Sequence, residues 1–114
     1  MDVGGVVRHP GALADDAVAE YLRCFDAATI HATCEDYRAG ATIDLDHDRV
    51  DAHEQLQCPL LVMWSAPGLG RQYDVEAVWR RRAPRFRCRE VDCGHFIAEE
   101  RPQEPVDELP SMLA

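Results

Sequence analysis

The chain has 114 residues, the size of one small domain or of a piece of a larger one. Hydrophobic residues make up 46% and charged residues 29%, near the averages for globular proteins, which argues against disorder throughout. With 12 Lys and Arg against 21 Asp and Glu, the net charge of −9 repels phosphate backbones and excludes general nucleic-acid binding.

No apolar run approaches the roughly 20 residues of a membrane span. The longest, Pro59 to Trp64, is strand-sized. Met1-Asp2-Val3-Gly4-Gly5 lacks the basic and then apolar stretch of a secretory signal. The five cysteines (Cys24, Cys34, Cys58, Cys88, Cys93) are an odd count that suggests no disulfide framework. The expectation is a cytoplasmic chain with reduced thiols.

Residues 1–11 are Gly-rich and without period, and read as a loop. Leu13, Ala17, Val18, Tyr21, Leu22 and Phe25 fall three and four apart, which predicts a first helix with one apolar stripe, capped by Asp15 or Asp16. A second helix starts after Asp26, with Ile30, Cys34, Tyr37 and Ala41 on one face, and ends or bends at Gly40. The acidic stretch from Asp44 to Glu54 reads as a solvated helix end and a connection.

The pattern then changes. Leu60 to Trp64 is a continuous apolar run between Pro59 and a Ser-Ala-Pro-Gly loop. It predicts a strand covered on both faces, as in a parallel sheet. Ser65 to Gly70 reads as a loop. Asp74 caps a helix through Val75, Val78 and Trp79, which Pro84 stops. Phe86, Cys88 and Val91 form a second strand, and Cys93 to Phe96 a turn. A last helix begins near Arg101, where Pro105 and Pro110 predict a short or broken element. The order is α/β with an incomplete parallel sheet. Two strands cannot cover themselves, so the chain reads like the end of a larger domain.

His95 is the sharpest candidate for chemistry. It follows the last strand, and open α/β sheets place their sites at the carboxyl ends of strands. A histidine there can take a proton from water. A packed or surface loop histidine is the competing reading. Tyr37 reads from its spacing as a core tyrosine, or as a hydroxyl donor to an anion. Cys88, Cys93 and His95 fit zinc spacing poorly, so no metal and no cofactor are expected. Cys24 and Cys34 read as small buried hydrophobes. Arg80–Arg82, Arg85, Arg87 and Arg89 read as a solvated face paired with acids. There is no nucleophile elbow, P-loop or dinucleotide fingerprint.

Tyr21-Leu22-Arg23-Cys24-Phe25, the block Cys34-Glu35-Asp36-Tyr37-Arg38-Ala39-Gly40 and Asp44-Leu45-Asp46-His47-Asp48-Arg49 resemble the end of the cap region of haloacetate dehalogenases. These are α/β-hydrolase-fold enzymes that include the fluoroacetate dehalogenases. Cys58 to Trp64 resembles their seventh strand, and Cys93-Gly94-His95-Phe96 the segment after their eighth. The resemblance implies that residues 12–54 are the end of a helical cap and residues 55–114 the C-terminal part of the core.

It also implies His95 as the base that activates water on an aspartyl ester, and Tyr37 as a holder of the departing halide. The family's nucleophilic Asp, its flanking arginines, its orienting acid and its His-Trp pair precede the matched region. The expectation is therefore a chain inactive alone, taking a small haloacid only when completed by an N-terminal part, and self-associating through an exposed strand edge. An epoxide hydrolase or other α/β-hydrolase piece, and a non-catalytic protein-binding remnant, are the alternatives.

Overall fold

The computed structural model describes residues 6–9 and 11–113. Residues 1–5 and 10 of the expected N-terminal loop lie outside them. The chain divides into two compact units, Met1–Leu13 with Gln55–Ala114, and Ala14–Glu54.

The first unit is built on a parallel pair. β1 (Leu60–Ser65) runs beside β2 (Phe86–Val91), with Leu60 opposite Phe86 and Ser65 opposite Val91. Between them lie α4 (Leu69–Gln72) and α5 (Val75–Arg80), and after them α6 (Ile97–Glu100) and α7 (Gln103–Leu113). Side chains alternate across a strand, so β2 addresses two layers. Phe86 lies under the Arg80 guanidinium of α5, 5.4 Å from ring centroid to cation. Arg87 and Arg89 turn the other way and ion-pair with Glu104 and Glu108 of α7. Helices α5 and α7 therefore take opposite faces of the sheet, and the expected pairing of these arginines with acids is present.

Several expectations are corrected. β1 was expected to be covered on both faces, but only Val62 along it is buried, because two strands give each face few neighbours. Of the expected Ser65–Gly70 loop, Ser65 ends β1, residues 66–68 form a turn, and Leu69 and Gly70 begin the single turn α4. The last helix is continuous through Pro105 and Pro110. Pro105 stands in its first turn, where an N–H has no partner within the helix. Pro110 removes one backbone bond near the far end, where Glu104 and Glu108 already hold the helix to β2. The Asp74 cap is as expected, its Oδ1 accepting from the Ala77 N–H at 2.9 Å.

The second unit holds α1 (Asp15–Cys24), α2 (Ala27–Gly40) and α3 (Ile43–Val50). Asp26 caps α2 by accepting from the Thr29 N–H at 2.8 Å. The N-cap of α1 is Ala14, and Asp15 and Asp16 sit inside its first turn, where they favour the positive end of the dipole without capping it. Asp44 to Val50 is not a helix end but part of a separate helix, α3, set off from α2 by a turn at Ala41 and Thr42. No residue of α1, α2 or α3 is buried. Tyr21, Leu22, Phe25, Ile30 and Val50 all stand exposed. A unit of three short helices has too little interior to take in its apolar stripes. Cys24 and Cys34, expected to be buried, are exposed for the same reason.

The buried apolar residues among those described are Val62, Val75, Ala83, Val91 and Cys93, all in the α/β unit. No described helix is long and apolar enough to cross a membrane. Both tryptophans, Trp64 and Trp79, also lie in that unit. Val62→Ala removes two buried methyl groups and should destabilise it by roughly 2 kcal/mol. Tyr37→Ala should leave it unchanged. Urea unfolding followed by tryptophan fluorescence reads this unit and checks both outcomes.

Candidate functional site

The carboxyl ends of β1 and β2 meet the turn that carries His95. The Ala66 N–H continues the ladder to the Val91 carbonyl at 2.9 Å. Ser65 Oγ donates to the Cys93 carbonyl at 2.8 Å, tying the end of β1 to the start of the turn. Cys93 is fully buried and Gly94 is buried, whereas His95 and Phe96 emerge. The two rings meet edge to face at 5.2 Å. A cavity of about 310 Å³ opens here, walled by Met63, Trp64, Ser65, Leu69, His95 and Ile97 among others. His95 thus occupies the strand-end position that the sequence suggested.

The turn is held from the other side by the N-terminal segment. The His95 N–H donates to the Val6 carbonyl at 2.6 Å. Two residues on, the Arg8 and His9 N–H groups donate to Glu100 Oε2 at 3.0 and 3.2 Å. His9 Nδ1 lies 3.0 Å from the same oxygen, and His9 Nε2 lies 2.9 Å from the Arg101 guanidinium. A guanidinium only donates, so Nε2 accepts and Nδ1–H is the donor to Glu100. Arg8 also ion-pairs with Asp92.

Glu100 is the one buried charged residue among those described. Burial pushes its carboxyl up. The hydrogen bond from the His9 side chain and the N–H groups of Gly94, Arg8 and His9 more than offset this, and hold it below the usual range. Oε1 lies over the Gly94 peptide and makes no hydrogen bond of good geometry. A Cβ at Gly94 would overlap both Glu100 Oε1 and the Val6 carbonyl. Burial also pushes the Cys93 thiol up, with the Glu100 charge adding to it.

Tyr37 belongs to the helical unit, on α2, and is 78% exposed rather than packed in a core. Among the described residues no group of three or more His, Cys, Asp or Glu is placed to hold a metal ion. Glu100, Arg8 and His9 were not singled out from the sequence. Glu99-Glu100 reads as an ordinary acidic helix start, and the only signal was a glycine immediately before a histidine.

No family model matches the chain. Among solved structures it superposes, over 96% of its length, on a protein from Nostoc sp PCC 7120 assigned as an α/β hydrolase, with a TM-score of 0.88 and 47% identity. The chain carries part of an α/β-hydrolase fold. A likeness of similar strength extends to a protein from Salmonella enterica assigned as an acyltransferase, with a TM-score of 0.86 and 38% identity over 95% of the chain. By sequence it is 37% identical over 90 residues, 78% of the chain, to a fluoroacetate dehalogenase from Burkholderia sp. It is 28% identical over 100 residues, 86% of the chain, to a soluble epoxide hydrolase from Corynebacterium sp. (strain C12). The chain spans 30% and 34% of those two relatives, and 38% and 36% of the two solved structures.

The exposures order the thiols of this α/β-hydrolase part. A disulfide-exchange reagent added to the native chain should modify Cys24, Cys34 and Cys58 first, since all three are exposed. Cys88 should follow slowly, and Cys93 should react only after unfolding, because burial raises both thiols. Time-resolved labelling with peptide mapping checks that order.

Proposed function

We propose that the chain is the C-terminal part of a hydrolase of the haloacetate dehalogenase type, with His95 as its general base. The observation that carries this is a histidine at the carboxyl end of a parallel strand pair, on the wall of a cavity. The 37% identity to a fluoroacetate dehalogenase and the Glu35-Asp36-Tyr37-Arg38 block support the dehalogenase reading over others.

In the proposed reaction an aspartate outside this chain displaces halide from the α-carbon and forms an ester. His95 then takes a proton from water as that water attacks the ester carbonyl, and the adduct collapses to regenerate the aspartate and release the hydroxy acid, whose oxygen receives that proton. Tyr37 is proposed to donate its hydroxyl to the departing halide. The chain by itself has a base and no nucleophile, and is proposed to be inactive. Its proposed substrate is a small haloacid, taken when the N-terminal two-thirds of such a hydrolase completes the site, and its proposed setting is the cytoplasm. The match to an epoxide hydrolase favours a second reading, in which the same base hydrolyses the ester formed by opening an epoxide.

The test is to refold the chain with the N-terminal two-thirds of the Burkholderia relative and to follow fluoride release from fluoroacetate with an ion-selective electrode. The chain alone should release none, and the mixture should. His95→Ala should lower the rate of the mixture by about a hundredfold or more, and Tyr37→Phe by less. Halide release from the chain alone would overturn the proposed inactivity. A mixture that yields diol from an epoxide and no halide from fluoroacetate would favour the second reading.

A further inference from the structure

We propose that Glu100 is the positioning residue for His95: its buried carboxylate clamps the Val6–His9 segment onto the Gly94–His95 turn and so fixes the backbone from which the imidazole projects. This rests on the reading of His95 as the base.

The clamp is a closed circuit of contacts. His95 donates its N–H to Val6 O at 2.6 Å. The same segment, two residues on, donates the Arg8 and His9 N–H groups and the His9 ring N–H to Glu100 Oε2. Glu100 closes the circuit through its own N–H, which donates to Phe96 O at 2.8 Å, one residue beyond His95. The other carboxylate oxygen rests against Gly94, one residue before it. Contacts thus bracket His95 on both sides along the chain and leave its ring at the cavity wall.

The chemistry of the position argues for a role beyond filling space. A fully buried carboxylate is expensive unless its oxygens are satisfied. An apolar residue would fill the volume but leave two backbone N–H groups without an acceptor. A carboxylate oxygen collects three donors at one point, which suits it to pin a segment that belongs to no described helix or strand beyond a single bridge at Val7. Arg101 holds the far side of the His9 ring, and Arg8 is tied to Asp92, so the charged groups facing the clamp are Arg101, Arg8 and Asp92, and the titratable neutral ones are the His9 ring and the Cys93 thiol.

The test uses the full chain and amide hydrogen exchange by NMR. Glu100→Gln should lower the protection of the His95, Arg8 and His9 amides at least tenfold, while the β1 and β2 amides of Val62 and Arg89 stay as in wild type. The His95 ring proton resonances should move, and those of His31, His47 and His53 should not. In the wild type, His95 protection relative to Arg89 should fall as the pH drops below the ordinary carboxyl range. The sign follows from a carboxyl held below its ordinary value, whose contribution is present above the unfolded pKa and lost as pH falls through the folded one. In Glu100→Gln that dependence should vanish. Gly94→Ala, which forces the turn off the carboxylate, should reproduce the loss of His95 protection.

Unchanged His95 amide and ring signals in Glu100→Gln would overturn the proposal. So would an equal loss at Val62 and Arg89, since Glu100 would then only support the fold. A completed enzyme without halide release would remove the role of His95 and leave these exchange signatures in place. Lost signatures alongside retained halide release would remove the clamp alone.

Discussion

One ladder of parallel hydrogen bonds, six residues long, organises the α/β unit. Its two-residue period decides which side chains of β2 meet α5 and which meet α7. Its carboxyl end decides where the chain must turn. Phe86 and Cys88 look one way and Arg87 and Arg89 the other because successive Cβ atoms alternate, and the helices follow. The turn beyond Val91 opens at the end of both strands, so a side chain placed there faces the space that a sheet of this kind leaves at its rim.

The turn is stiff for a reason that differs from the reason the strands are. Strand geometry comes from a repeated backbone pattern. The geometry around Gly94 and His95 comes from one buried charge and a close approach that only a glycine allows. Glu100 is held below its usual range by three hydrogen bonds to Oε2 and by the nearby Gly94 N–H, against the opposing effect of burial. The three donors on Oε2 would lose their shared acceptor in any other arrangement, which gives the turn a preference for one conformation.

Local rules made much of this visible before any coordinates. The start of α2 after Asp26, the cap at Asp74, the parallel pairing of Leu60–Trp64 with the Phe86 region and the strand-end place of His95 follow from short-range chemistry and from periodicity. The failures share a different origin. The continuity of α7 through two prolines depends on Arg87 and Arg89, about twenty residues away in sequence. The exposure of Tyr37, Cys24 and Cys34 depends on how little the helical unit can bury, whereas periodicity reports only that a stripe exists. The Glu100 cluster joins positions more than ninety residues apart and carries no local signature.

Gly94 has a mutational meaning as well as a geometric one. Every missense change one base away from a glycine codon adds at least a Cβ, and at position 94 that atom would overlap Glu100 and the Val6 carbonyl. At Gly40 the same added atom meets open space. The two codons therefore have different fates under drift. Substitutions can accumulate freely at the first-named kind of site only once the turn has ceased to matter, so the codon for residue 94 in sister lineages is a record of whether that turn is still in use.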